Sequence, residues 1–226
     1  MESPLFISLK TSVAATFVSF FLGIFLAHEV VKLKRFKAIA DAVITLPMVL
    51  PPTVVGFFLL LLFGKRSVIG KFLLQFDINL VFTWKAAVIS AVVVSLPLMY
   101  RTTRGAFEQL DQNIIHAART LGVSERKIFW RIILPNVRYG ILAGTVLTFT
   151  RTMGEFGATM MFAGNIPGIT QTMSTAIYSS VQANDYDSAF MQAISLIILS
   201  VSFMVASNFV SWRNFMKFTI KRPGLR

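Results

Sequence analysis

Apolar residues fill this chain in runs too long for the core of a small soluble domain. Ser12–Val31, Ala42–Phe63, Ala86–Tyr100, a stretch from about Val137 past Arg151, and Ala189–Trp212 stand apart from polar segments. Each is comparable with the ~20 residues a helix needs to cross a hydrocarbon core. The pattern therefore predicts five spanning helices in one domain, residues 1–226. The third run is extended back to about Ile78 to reach full length, with Lys85 snorkelling outward. Pro47, Pro51 and Pro52 interrupt the second run. They break its hydrogen-bond ladder, which predicts a kink or an unwound segment able to serve a gate.

Residues 101–138 are different: polar, helix-forming and too long for a plain connector. Asp111 can cap a helix with an apolar face of Ile114, Ile115, Ala118 and Leu121. Gly122 suits the left-handed residue that ends it. Ser124 can cap a second helix, Glu125 suits its first turn, and Pro135 limits its far end. The expected product is a knob of two short helices whose small Ala117 and Ala118 permit close approach of a partner. The plainer alternative is a loop packed only on itself.

Composition and charge narrow the class. Of 226 residues, 55% are hydrophobic and 14% charged, and the mean hydropathy is +0.68, which is the profile of a membrane protein. The absence of cysteine excludes disulfides and thiolate chemistry, and two histidines, His28 and His116, are too few for a histidine-rich metal site. The net charge of +12 is distributed unevenly along the chain. Four basic residues lie in 32–41, seven in 101–138 and five after Trp212, sixteen of 22 in all. Under the positive-inside bias these segments are cytoplasmic, with the N-terminus outside and the C-terminus inside. The charge is thus a matter of membrane orientation and does not point to nucleic acid. Lys65, Arg66 and Lys71 form the one dissenting cluster, on the outward face. No cleavable signal is evident, so the first span is expected to remain.

The block His116-Ala117-Ala118-Arg119 through Pro135 resembles the Glu-Ala-Ala signature of importer-type ABC transporter permeases. Ala117, Ala118, Gly122, Phe129, Leu134 and Pro135 match its fixed positions, and His116 stands where the family usually has glutamate. Leu46–Gly56 and Arg151–Thr159 are similar to segments of molybdate permease subunits, with sulfate and tungstate permeases as near relatives. The resemblance implies an all-α, type I importer fold in a prokaryotic plasma membrane. It also implies a coupling helix carried by His116, Ala117, Ala118, Arg119, Leu121 and Gly122. The implied partners are a second copy of the chain, two ATP-binding subunits and an external oxyanion-binding protein. The chain itself is expected to bind no cofactor, ATP and magnesium residing on the partner. Consistent with this, no G-x-x-x-x-G-K-[ST] occurs, and Gly64-Lys-Arg-Ser67 lacks the upstream glycine.

Within the spans, Arg151 and Glu155 are four apart and can pair on one helical face. Such depth is costly for ionisable groups, so the pair either lines the oxyanion path or fixes helix packing, and mutual neutralisation favours the second. Pro51, Pro52 and Thr53 join them as pathway or gate candidates. Thr159 and Asn165 offer further donors. Gly140 and Gly144 give a face for close helix approach. Residues 156–187 read as an outward excursion, partly re-entrant, against which a binding protein could dock. His28 reads as an interfacial residue, and Asp185 and Asp187 as a solvated face. Competing classes are a self-contained channel or ion-coupled carrier, for which Glu155 alone is thin support, and an intramembrane enzyme, for which no nucleophile, dyad or metal set is found.

Overall fold

The computed structural model describes residues 2–33 and 35–220, with side chains described through Ala206. Lys34, Lys221, Arg222 and Arg226 of the basic clusters lie outside the described residues, as do the side chains of Trp212, Arg213 and Lys217. The chain is helical: α1 Pro4–Lys32, α2 Lys37–Val49, α3 Pro52–Phe63, α4 Val68–Leu74, α5 Trp84–Glu108, α6 Gln112–Thr120 and α7 Glu125–Ile128. A π-type turn, Phe129–Ile133, leads into α8 Leu134–Met153, followed by α9 Gly157–Phe162, α10 Met173–Gln182 and α11 Tyr186–Ile220.

Four of the expected spans are helices long and apolar enough to cross a membrane: Pro4–Lys32, Trp84–Glu108, Glu125–Met153 and Tyr186–Ala206. The fifth, Ala42–Phe63, is not a single helix. It is the pair α2 and α3, turned by 110° at Leu50–Pro51. Pro51 and Pro52 have no N–H to continue the ladder of α2. Pro52 instead starts α3, where the missing donor costs nothing. The third span begins at Trp84 rather than near Ile78, because Phe82 takes a positive φ of 59° and Thr83 caps the helix through the Ala86 N–H.

Small side chains set the packing of the bundle. Along α1 and α5, Ala15 meets Ala91, the Ser19 and Ser95 hydroxyls bond at 3.4 Å, and a side chain on Gly23 would collide with Met99. These contacts advance together in steps of four, so α1 and α5 run parallel, with backbones close as small residues permit. Two parallel helices require the intervening chain to travel back. Lys37 and Asp41 at the start of α2 pair with Glu108 and Arg104 at the end of α5. Leu59 of α3 packs with Val81, Ala86 and Ala87 at its beginning. The bent pair therefore spans the height of α5. Gly140 and Gly144 of α8 then lie against Ala106 and Thr102 of α5, placing α8 antiparallel to it. The glycine face expected for close approach serves this internal contact.

Residues 156–187 do fold back into the bundle. Ala158, Phe162 and Ala163 are buried, and the Ala158 carbonyl accepts from the Ser90 hydroxyl at 3.2 Å. Ser90 lies six residues into α5, about 9 Å below its start. Asp185, exposed as expected, also accepts from the Ser188 N–H at 3.1 Å in the first turn of α11, and the Ser188 side chain together with this N–H holds its carboxyl below the ordinary value.

Candidate functional site

Two arrangements stand at different heights, one at the end of the bundle and one part-way along it, joined by helices. The first is the knob. Asp111 accepts from the Asn113 N–H at 2.9 Å and starts α6. Gly122, at φ 73°, ends it with a double bond pattern: its own N–H reaches Arg119 O, and the Val123 N–H reaches Ala118 O. Glu125 grips Arg119 through both oxygens, at 2.6 and 3.1 Å, folding α7 back on α6.

Three expectations about the knob are corrected. Its apolar residues do not share one face: Ile115 and Ala118 are buried against Ile128, whereas Leu121 is 81% exposed and Ile114 also points outward. Ala117 faces out with these two, while Ala118 belongs to the interior of the knob. Pro135 does not end the second helix. The π-type turn shifts the ladder so that the Leu134 N–H reaches Phe129 O, and the Asn136 side chain donates to Ile132 O at 2.6 Å. The chain thus continues helically from Glu125 to Met153. Ser124 precedes α7 as expected, without a side-chain cap bond. His116 is exposed on α6, with its backbone carbonyl taken by the Thr120 hydroxyl.

The knob touches the bundle through His28, whose ring meets Phe129 edge-on at 4.7 Å and lies 5.7 Å from Phe107. A cavity of about 460 Å³, lined by Lys32, Ile115, Arg119 and Glu125 among others, separates the rest of the knob from α1. Beside it sits an ionic cluster that sequence reasoning missed. Arg104 pairs with Asp41 and with Glu108 at 3.1 Å, Glu108 also holds Lys37 at 2.7 Å, and the Tyr100 hydroxyl accepts from Arg104. The end of α5 is therefore fastened to the start of α2, four residues before the knob. Asp41, a lone acid at the head of an apolar run, was the available signal.

The second arrangement gathers the predicted gate residues. Gly157 lets α9 lie on the proline break: a side chain there would stand 3.0 Å from the Thr53 nitrogen and 3.1 Å from Pro52 Cβ. Gly56 does the same for α3, since a Cβ would come within 2.7 Å of the Ala158 backbone. Arg151 and Glu155 pair at 2.7 Å, though not on one helical face, because α8 stops at Met153 and Gly154 follows in a turn. Glu155 is 3% exposed, and its other oxygen accepts from the Ala158 N–H at 2.9 Å. Arg151 is 33% exposed. Pro52, Thr53 and Arg151 thus converge on the segment 155–158, which contains Glu155, while Pro51 forms the break itself. Thr159 is buried in α9, while Asn165 lies farther off, bonded to Ser179.

The sequence model of the family described as the binding-protein-dependent transport system inner membrane component matches residues 19–213. The chain belongs to this family. The permease is 43% identical over 207 residues to the molybdenum transport system permease protein ModB of Escherichia coli (strain K12), covering 91% of this chain and 89% of that one. It is 36% identical to the sulfate transport system permease protein CysT of Salmonella typhimurium, covering 87% and 72%. In fold it is similar to a chain of a bacterial ABC transporter involved in the import of alginate, with a TM-score of 0.75 at 15% identity, covering 94% of this permease and 80% of that chain. The permease is thus the membrane subunit of an ABC importer in the prokaryotic inner membrane, and ATP hydrolysis belongs to a separate subunit.

Proposed function

We propose that this permease carries a tetrahedral oxyanion, molybdate in the first instance, inward across the membrane. The observation that carries the anion is the likeness to ModB over nine-tenths of both chains. The weaker likeness to CysT supports sulfate as the second reading. The working assembly comprises two permease copies, two ATPase subunits holding ATP and magnesium, and an external binding protein that delivers the anion.

In this reading the knob is on the cytoplasmic side and presents His116, Ala117, Leu121 and Ile114 to the ATPase, while Ala118, Arg119 and Gly122 shape it from within. Leu121 bare in water is explained by a partner that covers it. Movement of the knob has two routes across the bundle. One is the helix from Glu125 to Met153, which stops two residues before Glu155. The other is the Arg104 cluster, which draws on α2 and so on the proline break. Both routes meet where Pro52 and Thr53 lie on Gly157. Opening there would part Thr53 from Gly157 and leave it, with the one-third exposed Arg151, as donors that offset the cost of stripping water from a dianion. Labelled molybdate uptake by proteoliposomes with ATPase and binding protein, competed with sulfate, tests this. Molybdate is expected to be taken up and sulfate to compete poorly. Equal competition would move the assignment to the sulfate reading.

A further inference from the structure

The hairpin 64–83, between α3 and α5, carries the basic cluster that the orientation of the chain does not explain. Lys65, Arg66 and Lys71 are exposed, and none is in an ion pair among the described residues. Beside them α4 bares Val68, 85% exposed, and Phe72, 58% exposed, one turn apart on one side. Phe76 continues the strip, its ring 5.3 Å from that of Phe72.

The hairpin is fixed in place. Ser67 donates to Leu62 O at 2.5 Å and accepts from the Gly70 N–H at 2.8 Å. Gly70 lies flat on the Gly64 carbonyl, with no room for a side chain between them. The apolar strip is therefore held at the end of α3, whose own outward side chains, Phe58 and Leu62, are exposed at the flank of the bundle.

We propose that this hairpin is a foot in the outer lipid surface. Val68, Phe72 and Phe76 enter the acyl boundary, and Lys65, Arg66 and Lys71 contact the phosphates of anionic lipids. Bare aliphatic and phenyl groups beside unpaired cations match the two zones of a lipid interface. A protein partner fits less well, because protein interfaces are depleted in lysine. The foot explains the dissenting charge: these basic residues serve as headgroup contacts and leave the inward bias intact. Its placement on the outer leaflet rests on the sidedness given above.

The absence of cysteine makes single-site labelling direct. Nitroxides at Phe72→Cys and Lys71→Cys, in proteoliposomes of phosphatidylethanolamine and phosphatidylglycerol, are compared for collision with oxygen and with a water-soluble nickel chelate. At position 72 oxygen is expected to dominate, and at position 71 nickel. Nickel dominance at both, or a label at 72 that becomes shielded only when the binding protein is added, would overturn the foot in favour of bare solvent or a protein dock. The charged half is read with spin-labelled lipids. The variant Lys65→Gln/Arg66→Gln/Lys71→Gln should lower the preference for phosphatidylglycerol over phosphatidylcholine by about fivefold or more, and an unchanged preference contradicts it. Labelling of Leu121→Cys from outside with an impermeant maleimide would separately defeat the sidedness, while the depth at position 72 still decides the hairpin.

Discussion

Ala118 in α6 and Leu121, just past its last residue, stand three residues apart and do opposite things. Leu121 projects from the knob, while Ala118 fills its interior against Ile115 and Ile128. Substituting Ala118 by glutamate would bury an unpaired charge and disrupt the knob itself, so it is a poor probe of docking. Leu121→Glu leaves that interior untouched. It should insert and fold normally yet weaken copurification of the ATPase by about 10-fold or more, as loss of an interface anchor does. Normal copurification would place the contact elsewhere. Inside the bundle, Glu155→Gln keeps an acceptor for the Ala158 N–H and removes the charge facing Arg151. A fully buried pair broken in this way costs about 3–5 kcal/mol. One-third exposure of Arg151 reduces the expectation to about 2 kcal/mol, measured as thermal stability in detergent. Arg151→Gln separates packing from passage: uptake at the native rate with native expression would take Arg151 out of the path.

Two joints matter among the elements, the α2–α3 break and the fastening of α2 to α5. Gly157→Ala would press a methyl between Thr53 and Pro52, and overpacking of this kind costs about 1–3 kcal/mol. Uptake is expected to fall further than stability, because the gate contact itself is displaced; a loss of stability alone would make the contact mere packing. For the fastening, Arg104→Gln should lower transported anion per ATP hydrolysed while the ATPase stays bound. Arg104→Lys should lie between, since an ammonium keeps the charge without the planar fork that serves Asp41 and Glu108 together. Equal coupling in all three proteins would reduce the cluster to a static tie.

Much of this was legible in the chain, and what was not has physical reasons. Long apolar runs reveal helices because lipid tolerates no unpaired backbone. The Asp111 cap and the Gly122 stop were readable because each satisfies a local bond. The break at Pro51 was visible, but its 110° turn was not, because its angle is set by the contact of Pro52, Thr53 and Gly56 with α9, far away along the chain. Pro135 misled, since a π-type turn before it supplies the ladder a proline removes. Ala118 was assigned outward because small size suits a partner and a core equally. The Arg104 cluster joins residues 63 apart, which spacing along one element cannot show.

At the scale of the whole molecule, a knob at one end and a proline break part-way along the bundle are linked by one helix and one ionic fastening. ATP hydrolysis belongs to a separate subunit, and in the proposed reading its work reaches the gate through the knob. The most direct test is molybdate accumulation in proteoliposomes holding the permease with its ATPase and binding protein, native against Leu121→Glu. Accumulation that requires ATP, the ATPase and the binding protein, and that Leu121→Glu abolishes while the variant remains folded in the membrane, is the predicted result. Accumulation by the permease alone, or undiminished by Leu121→Glu, would contradict the account.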